Sequence, residues 1–203
     1  MADRRASILL KRGARDPLLQ GPLLAPLQKF GGVVFPYSPQ VTYSTKATWQ
    51  GFPNLTHTNY QPQIYARTEN PTISLNNCTF TATTLEDATY MFSAMHFFKT
   101  VTKMSFGVKD PNRGSPPPVL NFSAYGDAMF RDVPVVITDF TVVYPNDVDY
   151  VNIEVNGSKI NVPIKMDFTI QLAINMPIND VKNNFTLTDF ANGNLIKQKK
   201  GYV

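Results

Sequence analysis

The chain has 203 residues, one cysteine, two histidines and a formal charge of +4. With 43% hydrophobic and 12% aromatic residues it can build a core, which excludes disorder of the whole chain, and a lone cysteine excludes an internal disulfide. All of the net charge lies in residues 1–30, where six Lys and Arg face two Asp; the other residues balance at thirteen against thirteen.

Residues 1–30 show no sustained period. Short leucine pairs alternate with Arg, Gly and Pro in RGARDPLLQGPLLAPLQKFGG, a composition that alone buries too little apolar surface to offset its ordering entropy. The expectation is an extended basic N-terminal arm over 1–30, followed by one β domain over 31–203. Arg4, Arg5, Leu9, Leu10, Arg12, Arg15, Leu18, Leu19, Leu23 and Leu24 are the candidate residues for docking the arm on a protein partner. The longest apolar run there, Ile8-Leu9-Leu10, is far short of a secretory signal, and no stretch approaches a membrane span.

Thr72 to Ala82 alternates but changes phase, with Ile73 and Leu75 on odd positions and Cys78, Phe80 and Ala82 on even ones; a bulge near Asn76-Asn77 reconciles them. One helix is predicted over about 84–104. Thr84 caps it, Glu86 and Asp87 add negative charge to its first turn, and Ala88, Met91, Phe92, Met95, Phe98 and Val101 follow the i, i+3, i+4 rhythm. The run DPNRGSPPPV reads as a stiff connector into a strand at Val119 to Tyr125. Val133 to Tyr144 is apolar on both faces, with Val136, Phe140, Val142 and Tyr144 on one and Val135, Ile137 and Val143 on the other, and is expected to be a central strand covered twice.

Val151 to Val155 alternates as well, and Asn156-Gly157 suits a two-residue hairpin turn in which both residues need positive φ. The predicted register pairs Val155 with Ser158, Glu154 with Lys159, Ile153 with Ile160 and Val151 with Val162, matching apolar to apolar and acid to base. Alternation continues unbroken from Ile160 to Ile174, roughly 50 Å if straight. That exceeds an ordinary strand, so part of it should project or bend, with an edge or bulge at Pro163.

No dinucleotide, phosphate-loop, zinc-protease, serine-hydrolase or paired-cysteine motif occurs. His57 and His96 lack partners at catalytic or metal spacing, and Asn146-Asp147-Val148-Asp149 reads as a turn rather than a calcium loop. No catalytic residue, cofactor or metal is expected. The arm's cations are mixed with leucines rather than with stacking aromatics, which argues for a protein partner rather than nucleic acid.

Tyr65-Ala66-Arg67, the run PTISLNNCTFTATTLEDATYMFSAMHFFKTVTKMSFG and the run PPPVLNFSAYGDAMFRDVPVVITDFTVVYPNDVDYV together resemble the tail-tube-like baseplate proteins of contractile-tailed bacteriophages, the tail tube initiators and tube caps. The resemblance implies a mainly β fold, a barrel or sandwich with one flanking helix and a long C-terminal hairpin. It also implies a structural virion protein without enzymatic activity: a homo-hexameric ring that links the central hub to the tail tube, templates tube and sheath polymerisation, and passes DNA through its lumen. Implied partners are adjacent tube or cap rings, the hub, and wedge or sheath proteins. Val151, Ile153, Glu154, Asn156, Gly157, Lys159, Ile160 and Val162 would form an inter-subunit hairpin, and the mixed row Asn161, Lys165, Asp167, Thr169 and Gln171 would suit a lumen wall. Two alternatives from other classes are a carbohydrate-binding β-sandwich using Trp49, Phe52, Tyr60 and Tyr65, and a hydrolase using His57 or His96.

Overall fold

The structure is a computed structural model that describes residues 5–52 and 56–202. The chain begins with β1 (Ser7–Leu10), two 3-10 turns (Gly13–Arg15 and Pro17–Gln20), α1 (Ala25–Gln28) and β2 (Gly32–Val34). Then come β3 (Gln40–Ser44), β4 (Ala47–Gly51), β5 (Gln63–Thr68), β6 (Thr72–Thr81) and α2 (Leu85–Val101). The second half holds β7 (Leu120–Ala124), β8 (Phe130–Val143), β9 (Tyr150–Val155), β10 (Ser158–Pro163), β11 (Lys165–Ile174) and three short helices, α3 (Ile178–Asn184), α4 (Leu187–Ala191) and α5 (Asn194–Lys197). The fold is mainly β. Its centre is an antiparallel seven-stranded sheet in the order β2-β1-β7-β8-β11-β6-β3, accompanied by the two-stranded ribbons β9-β10 and β4-β5.

The expected barrel or sandwich is not formed: the sheet stays open. It is nevertheless curled. Its edge strands β2 and β3 are joined by residues 35–39 alone, a link that reaches at most about 20 Å, whereas six flat strand spacings need roughly 29 Å. Tyr43 on β3 accordingly meets Phe130 at the start of β8 (6.0 Å between rings), although two strands lie between them in the ladder.

α2 covers the inner face. The Thr84 hydroxyl accepts from the Asp87 N–H (3.1 Å), and the Asp87 carboxylate accepts from the Thr84 N–H (3.1 Å), a reciprocal capping box that fixes where the helix starts. Its Phe98 then stacks among Phe35, Phe140 and Phe168 at 5.3–6.2 Å, and Phe168 touches Phe80 at 4.8 Å. These rings tie the helix, the 35–39 link and three strands into one core.

Several expectations hold at residue level. The β9-β10 register is the predicted one, with Asn156 (φ 51°) and Gly157 (φ 75°) in the turn. The β6 bulge falls at Asn76-Asn77, where Asn77 takes φ 53° and Cys78 resumes pairing opposite Phe168. The long alternation from 160 to 174 bends after Pro163, which closes β10, and Ile164 separates it from β11.

Others are corrected. β8 is central, between β7 and β11, but only its inner face is buried. A register shift beside Ile137 makes Thr138 an extra residue, so Phe140 and Val142 share the inner face with Val135 and Ile137 instead of opposing them. The larger correction concerns residues 1–30. From residue 5 onward they are no extended arm but part of the domain: β1 is an interior strand between β2 and β7, and Ile8, Leu10, Leu19, Leu24 and Leu27 are buried. The apolar residues looked aperiodic because they belong to elements of three or four residues, too short to display either period.

Candidate assembly interface

Of the ten residues expected to dock the arm on a partner, Arg4 lies outside the described residues. Leu10, Leu19 and Leu24 are buried in the chain's own core, and Leu18 and Leu23 pack against it half-exposed. Leu9 is half-buried on the outer side of β1, while Arg5, Arg12 and Arg15 stand at the surface. The leucines are thus used internally, which leaves cations rather than an apolar docking strip.

The hairpin residues divide in the same way. Ile153 and Val162 are buried, and Val151 and Ile160 pack half-exposed against the core, so the apolar face of β9-β10 is folded onto this chain beside α2. Glu154, Asn156, Gly157 and Lys159 face outward. Register, legible in the sequence, did not say which surface the apolar row would find.

The most exposed β structure lies outside the residues that the sequence offers as an interface. Among the described residues β4 and β5 pair only with each other, β5 is exposed along its length, and the ribbon carries Trp49, Ile64 and Tyr65 in the open with Phe52 and Tyr60 at its far end. Trp49 and Tyr65 lie opposite in register with their rings 5.5 Å apart and nearly perpendicular. The ribbon is braced from within: Tyr65 Oη and Thr68 Oγ1 lie 2.7 Å apart, Gln61 Nε2 donates to the Phe52 carbonyl (2.8 Å), and Thr48 Oγ1 donates to Glu69 (2.8 Å). That hydroxyl, with the charges of Lys46 and Arg67, holds the Glu69 carboxyl below its ordinary range. A two-stranded ribbon without a core is marginal in water, and five large apolar residues on one such ribbon are a surface that association would bury. Four of these, Trp49, Phe52, Tyr60 and Tyr65, are the aromatics that the sequence offers to a carbohydrate site.

The sheet edges differ from each other. At β2 the Tyr90 hydroxyl from α2 donates to the Val34 carbonyl and accepts the Val34 N–H, both at 2.8 Å, so a side chain occupies the position of a neighbouring strand. β3 pairs with β6 on one side only and is largely exposed, which leaves its outer edge open among the described residues.

The row expected to suit a lumen wall is divided: Lys165, Asp167, Thr169 and Gln171 lie on the face of β11 away from α2, whereas Asn161 lies on β10 in a cleft it shares with Leu85 and Thr89 of α2. On the β11 face Thr79 Oγ1 donates to Asp167 (2.6 Å), Lys165 pairs with Asp167 (3.4 Å), and Ser74 donates to Gln171, so the polar groups answer one another and the single cation is neutralised.

For chemistry, His57 is exposed on the chain between β4 and β5, with φ 58°. His96 is half-buried on α2 against Phe92 (4.5 Å), and burial, with the charge of Lys99, lowers its pKa. Burial, with the charge of Asp167, pushes the Cys78 thiol up to about 12. Among the described residues no three His, Cys, Asp or Glu side chains gather as metal ligands, and no helix is long and apolar enough to cross a membrane. Neither the protein-family models nor the curated proteins contain a match to this chain.

Proposed function

We infer that the protein is a structural subunit that works by self-association, as the tail-tube-like baseplate proteins it resembles do. It would form a hexameric ring between hub and tail tube and offer that ring as the template for the next one. The observation that carries this reading is the β4-β5 ribbon, whose exposed Trp49, Phe52, Tyr60, Ile64 and Tyr65 have no core of their own. The open β3 edge, unlike the capped β2 edge, supports it further, because unlike edges favour head-to-tail contacts, the kind that makes a ring when the rotation between copies closes. The outward Glu154, Asn156, Gly157 and Lys159 of the hairpin remain available to a neighbour. A polar, internally paired row such as Thr79, Asp167, Lys165 and Gln171 suits a wall past which DNA slides without being held. In this reading there is no catalytic step, no cofactor and no membrane contact; partners are further copies, tube or cap rings, the hub, and wedge or sheath proteins, and the site of action is the virion baseplate.

Electron microscopy of the purified protein, alone and with its hub, is expected to show six-fold rings with an open lumen, and Trp49→Ser with Tyr65→Ser to abolish them. A compact monomer that joins no ring under either condition overturns the reading. The clustering of Trp49, Tyr65, Phe52 and Tyr60 also suits the carbohydrate-binding alternative, although rings at 74° offer no flat platform for a sugar. Glycan-array binding by the monomer, lost in the same double variant, would favour that alternative.

A further inference from the structure

Two surfaces at opposite ends of α2 carry opposite excess charge. Beyond its C-terminal end, residues 105–115 form a finger closed at its base, where the Ser105 N–H donates to the Ser115 carbonyl (3.0 Å) and the Gly114 N–H to the Ser105 carbonyl (2.9 Å). Turns at Asp110 and Asn112 brace it from within, and Asn112 N–H donates to the Asp110 carboxylate (2.8 Å). The finger holds Phe106 at 70% and Val108 at 90% exposure; it carries the exposed cations Lys109 and Arg113 against one carboxylate, Asp110, which accepts from the Asn112 N–H, and exposed Lys103 stands just before it. Two largely exposed apolar side chains on a hydrogen-bonded finger form a docking knob whose ordering cost is already met in the free protein.

At the N-terminal end, a cleft of about 510 Å³ is lined by Pro26, Leu85, Glu86, Asp87, Thr89 and Tyr90, so the charged groups on its wall are two carboxylates, with Arg5 near enough for its charge to act on the Tyr90 hydroxyl. Leu85 is 62% exposed on its rim. The helix between the two surfaces is roughly 25 Å long, so the finger cannot reach its own cleft. A second copy carries the matching surface: cations meet carboxylates, and Phe106 and Val108 meet an apolar wall.

We propose that the 105–115 finger of one copy docks in the α2 cleft of the next, a heterologous contact that repeats head to tail around the assembly. It deepens the ring reading and rests on it, naming a copy-to-copy contact separate from the aromatic ribbon.

The test is a charge swap in the full chain. One variant reverses the finger (Lys103→Glu, Lys109→Glu, Arg113→Glu); the other reverses the cleft (Glu86→Lys, Thr89→Lys) and keeps Asp87, whose carboxylate caps the helix. Sedimentation at low salt should show each variant associating about tenfold or more weakly than the parent, and an equimolar mixture recovering most of the loss, since each then offers what the other lacks. Circular dichroism and the melting midpoint check that both variants fold; if either fails, Phe106→Ser alone should give the same loss. Parental rings that persist in both variants, or a mixture no better than its components, overturn this contact and leave the ring reading standing. A parent chain that never associates removes both.

Discussion

A methyl group on Gly31 would stand 2.6 Å from the Gly13 Cα, and the residue itself takes φ 77°. Both facts demand glycine there, because an L side chain is strained at that φ and the neighbouring backbone cannot yield as a side chain would. Gly31→Ala should therefore cost about 2 kcal/mol or more in urea unfolding, against about 1 kcal/mol for Gly107→Ala, which has a similar φ of 104° but open space around it. Equal losses at the two sites would refute the close approach as the cause. The contact explains why residues 13–31 double back instead of reaching outward. Nothing in the sequence displays it, since Gly13 and Gly31 are far apart in the chain and carry no periodic signal. Asn156-Gly157 is the opposite case, where residue type alone fixes the turn and the turn fixes the register.

At the level of elements, the β2 edge depends on one hydroxyl. Tyr90→Phe keeps the ring against Phe30 (6.5 Å) but removes the atom that serves both the N–H and the carbonyl of Val34. We expect a loss of about 1–2 kcal/mol, toward the lower end because water reaches an edge strand, together with faster hydrogen exchange at the Val34 amide. An unchanged exchange rate would mean that the hydroxyl does not hold the edge. Elements long enough to show a period were legible: α2 from its cap and spacing, β6 and β11 from alternation, and the β6 bulge from a phase change. The phase of β8 was not, because the extra residue at Thr138 lies in a run where every side chain near it is apolar or polar without pattern. The β4-β5 ribbon was visible only as a set of aromatics, since a strand exposed on both faces has no buried side to write a period.

For the molecule as a whole, the integration of the N-terminal segment reverses an expectation. Were residues 5–30 a docking arm, their removal would leave a folded body. Instead it deletes an interior strand and buries no replacement for Ile8, Leu10, Leu19, Leu24 and Leu27, a loss of about 10 kcal/mol at roughly 2 kcal/mol each, comparable to the entire stability of an ordinary domain. The truncated chain should show no cooperative transition by calorimetry, whereas Arg12→Ser with Arg15→Ser should melt close to the parent. A truncation that still unfolds cooperatively would restore the arm. Charge was the misleading signal here: a basic, proline-broken segment can be solvated on its polar side and still supply leucines to a core shared with distant strands.

The place of β1 in the ladder also sets an order of events during synthesis. Its two neighbours are β2, made moments later, and β7, where Ser7 must meet Ser123. At ordinary elongation rates that second partner emerges on the order of 10 s afterwards. Until then β1 has β2 alone as a possible neighbour and one side unpaired, and the sheet cannot begin to close around α2 from that side. The sheet therefore completes only after β7 has left the ribosome, so β1, made well before it, is locked in place late.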